Sequence, residues 1–166
     1  MKAICLALAS FGLATAAMAA DERPPPPLTF VFEEDAQLGP LVTVGDTPIG
    51  RRQAVPITGG TFSGPGLSGR ILPGGADYQL VRSDGAVVID ADYFIETDDH
   101  VTIHVRNVGL VVPPAGGAQA YAWTAPRFDA PAGKYAWLNR AIFISRISPE
   151  EDKDRRGVRI TVFKVG

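Results

Sequence analysis

The chain has 166 residues, with 16 Lys+Arg against 18 Asp+Glu for a formal charge of −2. That is one domain's worth of sequence without the basic excess that nucleic acid or an anionic membrane surface would demand of a partner. The single cysteine, Cys5, leaves no disulfide and no cysteine-based metal site to consider.

Residues 1–19 read as a signal peptide. Lys2 supplies the positive charge, Ala3 to Ala16 an uncharged apolar stretch, and Ala17-Met18-Ala19 the small-residue cleavage pattern. The run falls short of the ~20 apolar residues that cross hydrocarbon, and Asp21-Glu22-Arg23 follows at once. Cleavage is expected near Ala19, with Ala20 as the alternative, giving a periplasmic or secreted protein. Cys5 leaves with the signal and lies too far upstream to carry a lipid anchor. Residues 20–27, ending in Pro24 to Pro27, form a stiff spacer, and residues 28–166 are read as one domain.

Within it, 18 glycines and 14 prolines fall as punctuation between short apolar runs, which is how many strands joined by tight turns are written. Leu28 to Phe32 is a first strand. Leu41 to Val44 and Arg51 to Thr61 follow, bracketed by Gly39-Pro40, Thr47-Pro48 and Gly59-Gly60. Next come Ser68 to Leu72, the turn Pro73-Gly74-Gly75, and Asp77 to Arg82 closing at Ser83-Asp84-Gly85, an Asp-Gly hairpin signal.

Val87 to Thr97 and Val101 to Val108 alternate most clearly. Val87, Ile89, Ala91, Tyr93 and Ile95 share one face; Val88, Asp90, Asp92, Phe94 and Glu96 share the other. Tyr121 to Phe128, Tyr135 to Arg146 and Val158 to Val165 complete eight to ten strands, and no segment carries a capped helical period. A sheet of that size must curl, split or close. Hairpin-length connections predict an all-β, single antiparallel up-and-down barrel, with a Greek-key sandwich as the alternative. An outer-membrane barrel fits less well: Pro73, Pro113 and Pro114 would break lipid-facing strands, and girdles of interfacial aromatics are absent. No stable membrane insertion is expected.

The runs Ile57-Thr58-Gly59-Gly60-Thr61-Phe62-Ser63-Gly64-Pro65 and Gly69 to Gln79 resemble the uncharacterised protein family 0311, also catalogued as domain of unknown function 3237. Asp90 to Tyr93, Thr97-Asp98-Asp99 and Tyr135 to Asn139 carry the resemblance further, over nearly all of Leu28 to Val165. It implies a soluble, compact antiparallel barrel and no settled activity. The chain departs from the pattern at His100, where a glycine commonly closes the turn, at Tyr78, where a tryptophan is common, and in its export segment.

Candidate chemistry is sparse. His100 and His104, four apart on a strand rising ~3.3 Å per residue, stand about 13 Å apart and cannot share a metal ion. No nucleophile elbow or phosphate loop is written into the glycines. No cofactor and no metal site are expected. Carboxylates are the richer set. Asp77, on one face with Gln79 but too far from it along the strand for a direct bond, is expected to point into the barrel near a strand end, with Arg52 or Asn139 as its partner. Asp90 and Asp92 either line the lumen, meeting Arg106 or His104, or face water; alternation alone leaves both open. If the barrel does chemistry, Asp77 is the first candidate acid or base, Asp90 the second and Tyr93 a proton donor. Tyr135, Trp137, Asn139 and Phe143 on one strand face, with Trp123, suggest an aromatic wall with one polar anchor, or ordinary core. These residues support two functions: a carrier for a small apolar or aromatic metabolite, or a cofactor-free isomerase, cyclase or lyase.

Overall fold

The computed structural model describes residues 24–114, 116, 119–149 and 156–166. The expected signal peptide and residues 20–23 of the spacer lie outside the described residues.

The chain is all-β. Its strands are β1 (Leu28–Leu38), β2 (Val42–Thr47), β3 (Gly50–Gly64), β4 (Leu67–Ile71), β5 (Gly75–Val81), β6 (Val87–Thr97), β7 (Thr102–Val112), β8 (Tyr121–Asp129), β9 (Phe143–Pro149) and β10 (Gly157–Val165). They form one antiparallel sheet running β1-β10-β9-β8-β7-β6 and returning through β4 and β5 to β3, which pairs β1 and closes the barrel. The pairing makes eight staves. The long β3 borders β5 and then β4 along one side, and β2 and then β1 along the other. Thus β1–β2 and β4–β5 are each one stave bent at its Gly/Pro pair, Gly39-Pro40 and Pro73-Gly74, because proline cannot donate to a ladder. Among the described residues closure covers most strand edges, with β2 paired on one side only and β8 meeting β9 at just Trp123–Arg146 and Thr124–Ser145.

One end is plugged. Phe32, Phe62, Phe128 and Phe143 are buried there with Ile95, Ile103 and Leu67, and ring centroids 5.0–5.9 Å apart link Phe62 to Phe32, Phe32 to Phe128 and Phe128 to Phe143 in tilted and edge-on contacts. A 3₁₀ helix, Ala136–Arg140, completes the plug. Here the structure corrects the expectation of a strand from Tyr135 to Arg146: strand begins at Phe143. In a 3₁₀ turn side chains three apart stack, so Tyr135 and Leu138 are the buried pair, while Trp137 and Asn139 turn outward.

On β6 the apolar set faces in. Ile89, Ala91, Tyr93 and Ile95 are buried, as are Ile103, Val105 and Asn107 on β7. Asp90, Asp92, His104 and Arg106 therefore lie on the outer wall.

Candidate functional site

At the end opposite the plug the barrel is hollow. A cavity of about 600 Å³ opens there, with Ala36, Ile57, Val111, Ile147 and Val158 among its apolar walls. Asp77, Gln79, Tyr93 and Asn107 are its inward polar groups, and Arg146 with Ser148 joins the lining from β9.

Register explains how they meet. Val55 pairs with Asp77, Asp77 with Ala91, and Ala91 with Asn107. One inward row thus crosses β3, β5, β6 and β7. Asp77 and Asn107 flank the small Ala91 two strands apart, a separation of about 10 Å between backbones. The methyl between them leaves room that a larger side chain would fill. The neighbouring row carries Ile57, Gly75 and Tyr93. A Cβ on Gly75 would collide with Cβ of Tyr93, so glycine at this position admits the tyrosine to the lumen.

Asp77 is held firmly. Its Oδ1 accepts the backbone N–H of Asp90 at 2.9 Å, and its Oδ2 accepts Gln79 Nε2 at 2.6 Å. Gln79 Oε1 in turn accepts Gln53 Nε2 at 2.7 Å. Burial raises the Asp77 pKa from its ordinary value, opposed by the Gln79 and Asp90 hydrogen bonds and assisted by the nearby Asp90 charge. The expected partners are corrected. Arg52 donates instead to the Tyr78 carbonyl at 3.5 Å on the outer side. Asn139 bonds both backbone groups of Ala130 at 2.8 Å, which ties the 3₁₀ helix to the end of β8. Gln79 reaches Asp77 because a two-residue spacing keeps both side chains on one face, and the long amide folds back along it.

Beneath Asp77 the Tyr93 hydroxyl donates to Glu34 Oε2 at 2.7 Å. Glu34 is fully buried, and desolvation pushes its pKa up to about 7, with the Tyr93 hydrogen bond pulling the other way. Burial also raises the Tyr93 phenol well above its ordinary value, with the charge of Glu34 adding to the effect.

The remaining candidates sit elsewhere. Asp90 is paired with Arg106 at 3.0 Å on the outer wall. Trp123 faces outward into a shallow groove with Val108, Tyr121 and Ile144. Trp137 is 40% exposed at the plugged end, edging Phe143. The expected aromatic wall of Trp123, Trp137 and Asn139 is therefore not part of the cavity, whose walls are mostly aliphatic. Two inward groups, Glu34 and Asn107, escaped the sequence reading. Asn107 had a signal: it continues the inward set Ile103 and Val105 on β7. Glu34 was hidden beyond the end assigned to the first strand, among Glu33, Glu34 and Asp35.

A closed barrel plugged at one end, hollow at the other and carrying a desolvated carboxyl in its wall defines the molecule's class. The chain belongs to the DUF3237 family, proteins of unknown function, whose pattern matches residues 26–165. It is 32% identical over 136 residues to a UPF0311 protein of Rhodopseudomonas palustris, covering 75% of this chain and 89% of that one. A β-barrel-like protein from Acinetobacter baumannii superposes with a TM-score of 0.77 at 28% identity, covering 89% of this chain and all of the other. The crystal structure of an enzyme from Penicillium herquei has the same fold, with a TM-score of 0.70 at 24% identity over 89% of this chain and all of that one.

Proposed function

We propose that the hollow end of the barrel is the binding site for one small, largely apolar molecule. The observation that carries this is the cavity itself: about 600 Å³, walled by aliphatic side chains and furnished with a few convergent polar groups. Pockets that enclose small ligands have this size and this mixture. Apolar contact supplies the affinity, and the Asp77–Asn107 row supplies the orientation. Residues 1–19 support the further reading that the molecule is met outside the cytoplasm. Sequencing the N-terminus of the native protein tests that part: a start near Ala20 or Asp21 supports export, and a start at Met1 overturns it.

A thermal-shift screen with aromatic acids, lactones and phenolics, repeated on Ala91→Phe, tests the site. Stabilisation of the native protein that disappears in A91F supports the lumen as the site. Equal stabilisation of both proteins overturns it.

A second reading is favoured by one observation. Asp77 is a desolvated carboxyl facing the cavity, its pKa raised by burial, and a partly desolvated carboxylate in a pocket is a candidate general base or acid. In this reading the barrel is a cofactor-free isomerase, cyclase or lyase that moves a proton through Asp77. Asp77→Asn preserves shape and removes the titrating group. Turnover that is lost in D77N while the ligand still binds supports catalysis; unchanged turnover rules Asp77 out as the base.

A further inference from the structure

The lumen's hydrogen-bonding inventory is lopsided. Gln79 gives one N–H of its amide to Asp77, and its carbonyl accepts from Gln53. The Tyr93 hydroxyl is spent on Glu34. Asn107, 2% exposed, directs Nδ2 toward Ser145 Oγ at 3.5 Å. Its Oδ1 has no hydrogen-bond partner among the described residues, and the same holds for Glu34 Oε1. Asp77 already accepts two bonds, and a carboxylate has about four acceptor sites. At the Asp77 row, open acceptor sites on Asp77 and Asn107 Oδ1 outnumber the donors left over, one N–H on each amide.

The charge inventory leans the same way. One carboxyl group, Asp77, lines the cavity, and Glu34 lies buried beneath it. Among the described residues that line the cavity the one cation is Arg146, an exposed side chain at the open end. An anionic ligand seated on the Asp77 row would be desolvated beside like charge without a buried counter-ion, which is strongly unfavourable. A hydroxyl placed above Ala91 meets the opposite situation: it donates to a carboxylate, the stronger kind of hydrogen bond.

We propose that the lumen selects an uncharged molecule presenting a hydroxyl donor on an apolar skeleton, received between Asp77 and Asn107, and rejects carboxylates and phosphates. This rests on the lumen being the binding site and names the class of ligand it takes.

The test uses three probes on one skeleton, 2-naphthol, 2-methoxynaphthalene and 2-naphthoate, titrated calorimetrically into the full-length protein at pH 7. The expected order is naphthol first, its methyl ether at least tenfold weaker, and naphthoate weakest. In Asp77→Asn the advantage of naphthol over the ether narrows several-fold, and naphthoate gains. Asn107→Leu narrows the first gap through the other acceptor, so the proposal stays testable if either variant folds poorly. Equal binding of naphthol and ether, or naphthoate binding tightest, overturns the ligand class while leaving the lumen as the site. Binding that persists unchanged in Ala91→Phe, or no binding of any probe, overturns the lumen reading and this inference with it.

Discussion

The Tyr93 hydroxyl and Glu34 Oε2 meet at 2.7 Å across the inside of the barrel, between β6 and β1, which are not neighbours in the sheet. The bond divides the interior. On one side lies the phenylalanine plug, on the other the cavity, and Tyr93 belongs to both the core and the lining. A carboxyl at this depth is tolerated because protonation relieves it and the phenol satisfies one oxygen.

The position of Glu34 makes stability depend on pH. Its folded pKa, about 7, lies above its ordinary value of 4.5, so the folded state holds a proton that the unfolded chain releases earlier. Its contribution is most favourable below pH 4.5, declines as pH rises toward 7, and is flat beyond. The shift corresponds to about 3 kcal/mol. Glu34→Gln removes this slope: denaturant melts at pH 5 and pH 8 should differ less in the variant than in the native protein. An unchanged difference would refute the assignment.

His104 provides a second titration. It sits between Asp92, 2.9 Å from Nε2, and Asp129, 3.1 Å from Nδ1, on the outer wall. The hydrogen bond to Asp92, then that to Asp129, raises its pKa above 6.5. The stabilising contribution is complete below 6.5 and lost as pH rises through the folded value. NMR titration of the imidazole should show the raised midpoint, and Asp92→Asn should lower it.

His100 is the one non-glycine residue with positive φ among those described, at 61°, in the turn where its N–H bonds the Thr97 carbonyl at 2.8 Å. A left-handed conformation costs a side chain about 1–2 kcal/mol, part of which glycine returns as backbone entropy. His100→Gly is expected to match or exceed native stability by up to ~1 kcal/mol, and His100→Val to fall below it. Thermal melts of the pair check the sign.

The plugged end separates two neighbours of similar apolar character. Leu138 is 2% exposed and Trp137 40%. Leu138→Ala should cost about 2–5 kcal/mol, as a cavity in a closed core does. Trp137→Ala should cost about 1 kcal/mol, since the indole only edges Phe143. Denaturant midpoints with unchanged slopes would give both values.

Strand positions were legible because each strand separates two environments, and alternation on β6 and β7 records that directly. The sign of the alternation was less legible. Asp90 and Asp92 could face either way until Asn107, Val105 and Ile103 are seen packing inward with Tyr93. The aromatic run Tyr135 to Asn139 misled because period two and period three both bury Tyr135, and only the backbone decides whether Trp137 or Leu138 accompanies it. Glu34 was least legible. In a run of three acids between apolar residues, composition indicates solvent, whereas register places the middle one against Tyr93, 59 residues away.

The seam between β1 and β10 has a consequence for how the molecule comes into being. Glu33 meets Thr161 and Asp35 meets Arg159 across 128 and 124 residues of chain, whereas most other staves join close sequence neighbours. Meander-like pieces can assemble early, but pairing of such distant partners must wait for the largest loop to be closed, and topologies dominated by remote contacts fold in milliseconds to seconds. Until β10 docks, the interior faces of β1 and β9 lie bare, Phe32 and Phe143 among them. A ribosome-bound chain that has not yet delivered Gly157 to Val165 therefore remains an open curl, available to whatever chaperone or transport machinery handles unfinished sheets.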